Sequence, residues 1–450
     1  MTGNAVCSQT PAIIEGVVVS KPDNIPLNHA TVAIKGKSVG TTTNSDGFFS
    51  ISLHEVDPYD TLYVSYLGHE PYKLSVRAFI ETGEKAIELE ETGFAFSEVT
   101  VKPSDFNLNE FMEEVIREYN RKRRRNHHIA LSHYREKATF EGTYMMFNES
   151  VGYSVYMGET QSFGYGAYLK ERDRFHPVTN YGFIYENTRI SDVGYEWEQH
   201  GDNYLNWRLS DQNRQPLGGN IPLIAFRFFE IRGPLGSDVE KDIGGLSGFR
   251  YRLDSTYYLN NQLVYRIHFS PGILNLKKKE RGTMDVFADN YRILRVDCYS
   301  SDLFSGLKSF LFEEDVDGEI SFEFQYFDER PYLSSALFNY GNNGCFHEIK
   351  ISVLVQKFDE FEFELKEYQS IGAYANNPFI VYETKKWQSY RIPEDKDVEK
   401  IKDDLGSIGG KDIYKQFHDN SGDWYVAPEA NELPLLEKAQ SVINNLKSFF

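Results

Sequence analysis

The residue spacing first raises the possibility of zinc chemistry. His133 and Glu136 form an H-x-x-E pair, and His268 follows much later in the chain. A catalytic zinc ion needs three protein ligands of these types and one open coordination position. The segments that carry these residues alternate in polarity and predict strands. We therefore expect His133 to be an ordinary polar residue near the start of a strand.

No other pattern of catalytic residues is present in the sequence. It contains neither a G-x-S-x-G nucleophile elbow nor a P-loop, and the adjacent His127 and His128 must point to opposite sides of any strand. We assign no catalytic, cofactor-binding or metal-binding residues, and we predict a protein that is not an enzyme and needs no cofactor. A hydrolase with an unrecognised carboxylate or zinc site is an alternative, because the 67 acidic residues could supply a catalytic pair.

The composition favours β structure and argues against nucleic acid as a partner. The chain has 450 residues and a formal net charge of −19, so its surface repels phosphate backbones. It contains 33 Phe and 30 Tyr against 6 Met, a bias that favours pleated sheet over helix. No apolar run reaches the length of about 18 residues that a membrane-spanning helix needs, so we predict no transmembrane segment.

Residues 11–90 predict a β-sandwich. Short apolar or alternating runs are separated by turn residues roughly every ten positions, as in antiparallel sandwiches. Seven runs are expected to form strands: Ile14–Val19, His29–Ile34, Thr41–Thr43, Phe48–Leu53, Leu62–Tyr66, Tyr72–Val76 and Ala86–Leu89. Between the third and fourth runs, a hairpin signal ends at Gly47, which can adopt a positive φ angle.

This segment resembles the carboxypeptidase-regulatory-like domain, a prealbumin-like sandwich. The pattern consists of I-x-G-x-V, P-L-x-x-A-x-V, a G-T-x-T-x-x-x-G-x-F turn and a late L-x-V-S-x-x-G. The matching residues are Gly16, Val18, Pro26, Leu27, Ala30, Val32, Gly40, Thr41, Thr43, Gly47, Phe49, Leu62, Val64, Ser65 and Gly68. The resemblance implies an accessory module of a Bacteroidetes-type cell-envelope protein, in the periplasm or at the outer membrane. No signal peptide is visible in residues 1–10.

The same resemblance brings a zinc carboxypeptidase into consideration. Those enzymes have an α/β catalytic domain that precedes the sandwich. In this chain the sandwich comes first, and the remainder predicts antiparallel strands. We therefore do not assign carboxypeptidase activity to it.

Residues 91–126 predict a connector that consists of one short strand and an amphipathic helix. The helix is expected from Asp105 to Arg125, with Ser104 or Asp105 as its N-cap. One apolar stripe is expected to pack on the following domain: Phe111, Met112, Val115, Ile116 and Tyr119. The basic run at 121–125 is expected to be solvated, because cations complement a helix C-terminus; binding to anionic lipid is the alternative.

Residues 127–450 predict one large antiparallel β domain, curved or partly closed, with a terminal helix at Leu433–Phe450. Most of its runs alternate in polarity, and eleven are expected to form strands: Tyr134–Phe140, Gly152–Met157, Gly164–Lys170, Phe249–Tyr258, Gln262–Ser270, Arg281–Ala288, Tyr291–Tyr299, Leu307–Glu314, Glu319–Phe327, Cys345–Lys357 and Phe361–Glu367. Asp317 with Gly318 predicts a hairpin turn between the eighth and ninth of these strands. A helix over Leu223–Ile231 is expected to cover part of the sheet. The stretch LVYRIHFSP, followed by RGTMDVFADNYRILRVDCYSSD, resembles the paired strands of half-barrel lipoprotein-carrier proteins.

These observations favour a non-enzymatic cell-envelope protein that binds or scaffolds an unknown partner, which could be an envelope protein, a glycan or a lipid. A periplasmic carrier or sensor of an apolar ligand is the alternative, and it requires a sheet face lined by Phe and Tyr.

The cysteines leave two possibilities open. Cys298 and Cys345 could form a disulfide or remain two separate buried thiols, with Cys7 left over.

Overall fold

Strands dominate the described part of the chain, as the composition predicts. The structure is a computed structural model. It describes residues 13–21, 24–27, 30–35, 37, 40–43, 47–52, 57–66, 68–83, 86–92, 106–123, 128–156, 168–171, 174–177, 181–192, 223, 226, 229–230, 233–236, 248–259, 262–272, 280–299, 317–327, 330–342, 345–357, 382–390, 392, 394–395 and 397–417.

The front module, residues 13–92, contains seven strands in two packed sheets. They are β1 (Ile13–Lys21), β2 (Thr31–Ile34), β3 (Gly40–Thr42), β4 (Phe48–Ser52), β5 (Thr61–Ser65), β6 (Tyr72–Ser75) and β7 (Ala86–Glu90). The sheet orders are β4-β1-β7 and β3-β2-β5-β6. Apolar side chains from both sheets share one buried core, which includes Val18, Val32, Phe49 and Leu89. The predicted seven-stranded sandwich is confirmed.

Two local features fix turns of the front module. Gly47 has a φ of +76°, and a Cβ atom there would lie 2.4 Å from the carbonyl oxygen of Val18, so glycine is required for both reasons. A short helix, α1 (Val76–Thr82), follows β6 directly and was not predicted. It begins where the Ser75 hydroxyl accepts a hydrogen bond from the Ala78 amide at 3.2 Å.

The amphipathic helix α2 spans Leu108–Lys122 and is shorter than predicted. Its N-cap is Asn107, not Ser104 or Asp105, because the Asn107 side-chain oxygen accepts from the amides of Asn109 and Glu110. All five residues of the predicted apolar stripe are buried. Four of them join the core of the large sheet: Phe111, Met112, Val115 and Tyr119. The expectation that this stripe packs on the following domain is therefore confirmed.

The large domain is built on a ten-stranded antiparallel sheet. Its strands are β8 (His128–Phe140), β9 (Thr143–Tyr156), β12 (Tyr181–Asp192), β13 (Phe249–Leu259), β14 (Gln262–Pro271), β15 (Arg281–Phe287), β16 (Ile293–Tyr299), β17 (Asp317–Phe327), β18 (Arg330–Asn342) and β19 (Cys345–Lys357). Their order is β12-β9-β8-β19-β18-β17-β16-β15-β14-β13, and β10 (Tyr168–Glu171) pairs with β11 (Arg174–Pro177) in a separate hairpin. Within this sheet, paired strands follow one another in sequence order, with one exception. The first strand, β8, pairs with the last strand, β19.

Several predictions for this domain are wrong, and others concern residues outside the described ranges. Asp317 and Gly318 do not form a hairpin turn, because they begin β17 and pair with Gly341 and Tyr340 of β18. Strands β12 and β18 were not predicted. The terminal helix at 433–450, the connector strand near 96–101 and the predicted strands at 307–314 and 361–367 lie outside the described residues. Of the expected helix at 223–231, the described positions 223, 226, 229 and 230 are helical.

The two faces of the large sheet differ in character. The helix face is the side on which α2 packs, together with Leu223, Phe226, Phe229 and Leu235. It carries the main aromatic core, including Tyr134, Phe322, Phe338 and Ile351. The charged face is the opposite side. It carries ion pairs such as Arg266 with Asp285 at 2.7 Å and Arg295 with Glu323 at 3.2 Å. Strands β3 and β4 of the front module contact β19.

Helices follow the sheet in sequence. They are α3 (Thr384–Tyr390) and α4 (Val398–Gly409), and residues 413–417 form a further helical turn. Phe147 of β9 shares a small core with Ile401, Leu405, Ile413 and Phe417 of this segment. In the part of the chain described above, no helix combines the length and apolarity required to cross a membrane.

The structure decides between the two possibilities for the cysteines. Cys298 on β16 is a buried free thiol, and Cys345 is the first residue of β19. Two strands, β17 and β18, lie between β16 and β19. At about 4.8 Å per strand the separation is roughly 14 Å, about twice the largest Cα separation that a disulfide can bridge. These two cysteines do not pair.

Candidate functional site

The three residues considered as zinc ligands are not brought together. His133 and Glu136 are three positions apart on β8, so their side chains lie on opposite faces of the sheet. His268 lies on β14, and five strands separate β14 from β8. No group of three or more His, Cys, Asp or Glu residues within the described ranges is arranged to hold a metal ion. The H-x-x-E spacing therefore does not correspond to a ligand set.

His133 instead belongs to a buried ionic cluster on the charged face. Its Nε2 atom lies 3.2 Å from Oε1 of Glu149, whose side chain is fully buried. Burial lowers the pKa of His133 to about 4, although the hydrogen bond to Glu149 opposes this change. The imidazole is therefore neutral at pH 7 and donates a hydrogen bond to the carboxylate.

Two arginines neutralise Glu149. Arg135 Nη2 lies 2.6 Å from Glu149 Oε1, and Arg189 donates from Nε to Oε2 at 2.8 Å. Burial alone would raise the pKa of Glu149, but the charges of Arg189 and Arg135 hold it well below its ordinary value. The carboxylate is thus ionised and fully paired, which makes it a poor general base.

The same cluster anchors the segment that contains α3 and α4. Asp395, just before α4, accepts from Arg135 at 3.1 Å and lies 3.2 Å from Lys137. The guanidinium of Arg189 stacks 4.3 Å from the ring centre of Trp387 and 5.0 Å from that of Phe417. Each cation of this cluster has an anionic partner, so we interpret it as a structural anchor.

A second polar group in the front module resembles a catalytic arrangement only superficially. The Ser20 hydroxyl lies 2.7 Å from Nε2 of His69 and 3.1 Å from Oε1 of Glu91. In a catalytic triad the histidine lies between the hydroxyl and the acid, whereas here the hydroxyl lies between the other two. Ser20 donates its proton to Glu91 and accepts from His69, which ties β1 to the end of the module.

The strongest candidate for a ligand site is a cleft on the helix face at one end of β8 and β9. Its lining is mostly apolar: His128, Ala130, Ser154, Tyr156, Leu223, Leu333, Ser335, Ile351 and Val353. The ring centre of His128 lies 5.0 Å from that of Tyr156, with the rings tilted, and Tyr332 meets His128 edge-on at 5.4 Å, so aromatic rings form one end. The space in the cleft is about 20 Å³, room for one or two water molecules. A larger ligand must displace a lining side chain such as Leu223.

Small and polar side chains continue inward from this cleft along the helix face. The β8–β9 register gives the cross-strand pairs Ala130–Ser154, Ser132–Gly152, Tyr134–Ser150 and Glu136–Asn148. The hydroxyls of Ser132 and Ser154 and both amide atoms of Asn148 are buried and make no hydrogen bond to any described residue. Such atoms normally have a partner, and leaving one unpaired costs about 1–3 kcal/mol.

A buried acid lies at the inner end of this row. Tyr134 donates a hydrogen bond to Glu136, and Nδ1 of His347 lies 3.6 Å from Oε1 of Glu136. Burial lowers the pKa of His347 to about 3, so its ring carries no charge at pH 7. Sequence reasoning missed this group because β19, which carries His347, becomes a neighbour of β8 only in the folded sheet.

The fold and the cleft define a two-part β protein, with a sandwich in front of an open antiparallel sheet. Residues 14–101, which contain most of the front module, match the model of the CarboxypepD_reg-like domain. No curated protein sequence matches the chain.

Two solved structures are similar to this chain. One is a domain from Vibrio parahaemolyticus described as outer-membrane lipoprotein-sorting, with 11% identity and a TM-score of 0.26 over 58% of this chain and 97% of that chain. The other is a DUF1329 family protein from Desulfovibrio piger, with 10% identity and a TM-score of 0.25 over 57% and 96% of the two chains. At these TM-scores, function has to be argued from the geometry of this chain.

Proposed function

We propose that this chain is a non-enzymatic binding protein whose large sheet holds the apolar part of a ligand in the cleft at the end of β8 and β9. The observation that carries the proposal is the combination of apolar walls with buried polar atoms of Ser132 and Ser154 that have no partner among the described residues. Ligand sites have this composition: mostly apolar surface with a few polar groups that fix orientation.

The geometry favours binding over hydrolysis. Glu136 is the one acidic side chain among the described residues on the helix face of β8, β9 and β19. A paired-carboxylate mechanism needs a second acid within about 10 Å. Glu149 is next to Glu136 in the pairing of β8 with β9, but it points to the opposite face and is neutralised by arginines. These three strands therefore supply the walls of a binding cleft and no second acid beside Glu136.

The front module supports a cell-envelope role. Its family resemblance implies an accessory unit of envelope proteins, and its strands β3 and β4 contact β19 of the large sheet. We propose a periplasmic or outer-membrane-associated carrier or sensor in which the module docks the binding domain to another envelope component.

Binding of diphenylhexatriene, a hydrocarbon that fluoresces in apolar surroundings, tests the proposal. We expect saturable binding to the full-length protein. Ser154→Leu, which fills the cleft, should weaken that binding at least about tenfold, the equivalent of about 1.4 kcal/mol. Ser255→Leu makes the same change at an exposed position of β13 and should leave binding unaltered.

Two results would contradict this function. The first is the absence of saturable binding to the wild-type protein. The second is equal loss of binding in Ser154→Leu and Ser255→Leu, which would indicate adsorption to the surface. Thermal unfolding of both variants shows whether each retains the native fold.

A further inference from the structure

The polar row behind the cleft constrains what kind of ligand can enter. It begins with Ala130 and Ser154 in the cleft and continues through Ser132 and Gly152. These side chains are small, and Gly152 has none, so little side-chain volume separates the cleft from the buried hydroxyl of Ser132. The first polar atoms that a ligand meets there are the hydroxyls of Ser154 and Ser132, which no described residue engages.

The charges around this row are as informative as its hydrogen-bonding groups. Among the described residues on the helix face of β8, β9 and β19, there is no Lys or Arg side chain. The neighbouring basic residues, Arg135 and Lys137, point to the charged face and pair there with Glu149 and Asp395. Glu136, at the inner end, is fully buried. A ligand carboxylate would find no cation on these three strands and one acid nearby.

Resting on the function proposed above, we propose that the ligand is an uncharged amphiphile: an apolar chain or ring system that carries a hydroxyl or amide group. Hydroxyls such as Ser132 and Ser154 both donate and accept, so they can pair with a neutral alcohol or amide inside an apolar site. A carboxylate would lose its hydration without gaining a counter-charge, and an unpaired buried charge is strongly disfavoured. The site therefore selects against fatty-acid anions.

A matched series of ten-carbon ligands tests this selectivity at pH 8. Decanol, decanamide, methyl decanoate and decanoate compete with diphenylhexatriene on the full-length protein, each below its micelle-forming concentration. We expect the three neutral compounds to displace the probe at concentrations at least about tenfold lower than decanoate. Displacement by decanoate at the same concentration as methyl decanoate overturns the inference.

Two serine variants test the hydrogen bonds separately from the apolar walls. Ser132→Ala and Ser154→Ala should weaken decanol and decanamide several-fold more than they weaken diphenylhexatriene, because that hydrocarbon has no polar group. Equal affinities of wild type and variants for decanol contradict the assigned role of these hydroxyls. If diphenylhexatriene fails to bind wild type, the proposed function itself fails; if it binds and decanoate competes fully, only the selectivity is wrong.

Discussion

Protonation of two buried histidines should make the fold acid-sensitive. The pKa values of His133 and His347 are lowered by burial from 6.5 to about 4 and about 3. Because the folded state disfavours the protonated rings, the unfolded state binds more protons below pH 6.5. The stabilisation from each neutral ring is therefore complete above pH 6.5 and is lost as the pH falls towards its folded pKa.

The size of this effect follows from the two pKa differences. At about 1.4 kcal/mol for each pH unit, the His133 difference corresponds to about 3 kcal/mol and the His347 difference to about 5 kcal/mol. Between pH 6.5 and 5 the two carboxylates of the ionic cluster, Glu149 and Asp395, do not contribute. Glu149 and Asp395 have lowered pKa values, so they lose their stabilisation only near and below their unfolded values of 4.5 and 3.8. The two histidines should then give a slope that rises from about 1 kcal/mol per pH unit at pH 6.5 to about 2–3 kcal/mol per pH unit near pH 5.

Urea unfolding at half-unit steps from pH 5 to 7.5 measures this slope. His347→Gln and His133→Gln should each remove about half of it, whatever each does to stability at pH 7.5. His268→Gln makes the same change at a partly buried position of β14 and serves as the control for the substitution itself. A wild-type slope in both test variants would refute the idea that burial of neutral rings causes the acid sensitivity.

Two further predictions concern the ionic anchor and the Gly47 turn. Glu149→Gln should lower the free energy of unfolding by about 3–5 kcal/mol, because it removes the buried counter-charge of Arg189 and leaves Arg135 with Asp395 alone. Proteases should then cleave residues 382–417 faster. Glu81→Gln, in an exposed pair with Arg77, should change stability by less than about 0.5 kcal/mol, and equal effects of the two variants would contradict the anchor. Gly47→Ala should lower the thermal unfolding temperature of the full-length protein more than Gly68→Ala does. Both glycines have a positive φ, but only at Gly47 would the added Cβ meet a backbone oxygen, at 2.4 Å. Equal shifts would mean that the positive φ alone determines the loss of stability.

Local sequence signals were sufficient to predict a strand or helix wherever its periodicity and bounding turn residues lie in one short segment. The seven strands of the front module are short runs bounded by turn residues, and the apolar stripe of α2 repeats with the helix period, so both could be predicted. Strand β18 could not. The register shift opposite Glu323 and Phe324 inserts an extra residue, Ser334, and interrupts its alternation of polar and apolar positions. Asp317 and Gly318 have the local signature of a turn, but pairing with β18 holds them extended.

The candidate site depended on contacts that no local pattern encodes. His347 approaches Glu136, and Asp395 reaches Arg135, across more than 200 positions of sequence. A strand residue has neighbours on adjacent strands, and the order of strands in the sheet is set by the whole chain. The sequence by itself determined the β class, the front module and the buried stripe of α2, because periodicity and turn chemistry are local. Only the tertiary structure decided which polar side chains are buried together, because it alone fixes strand order and facing.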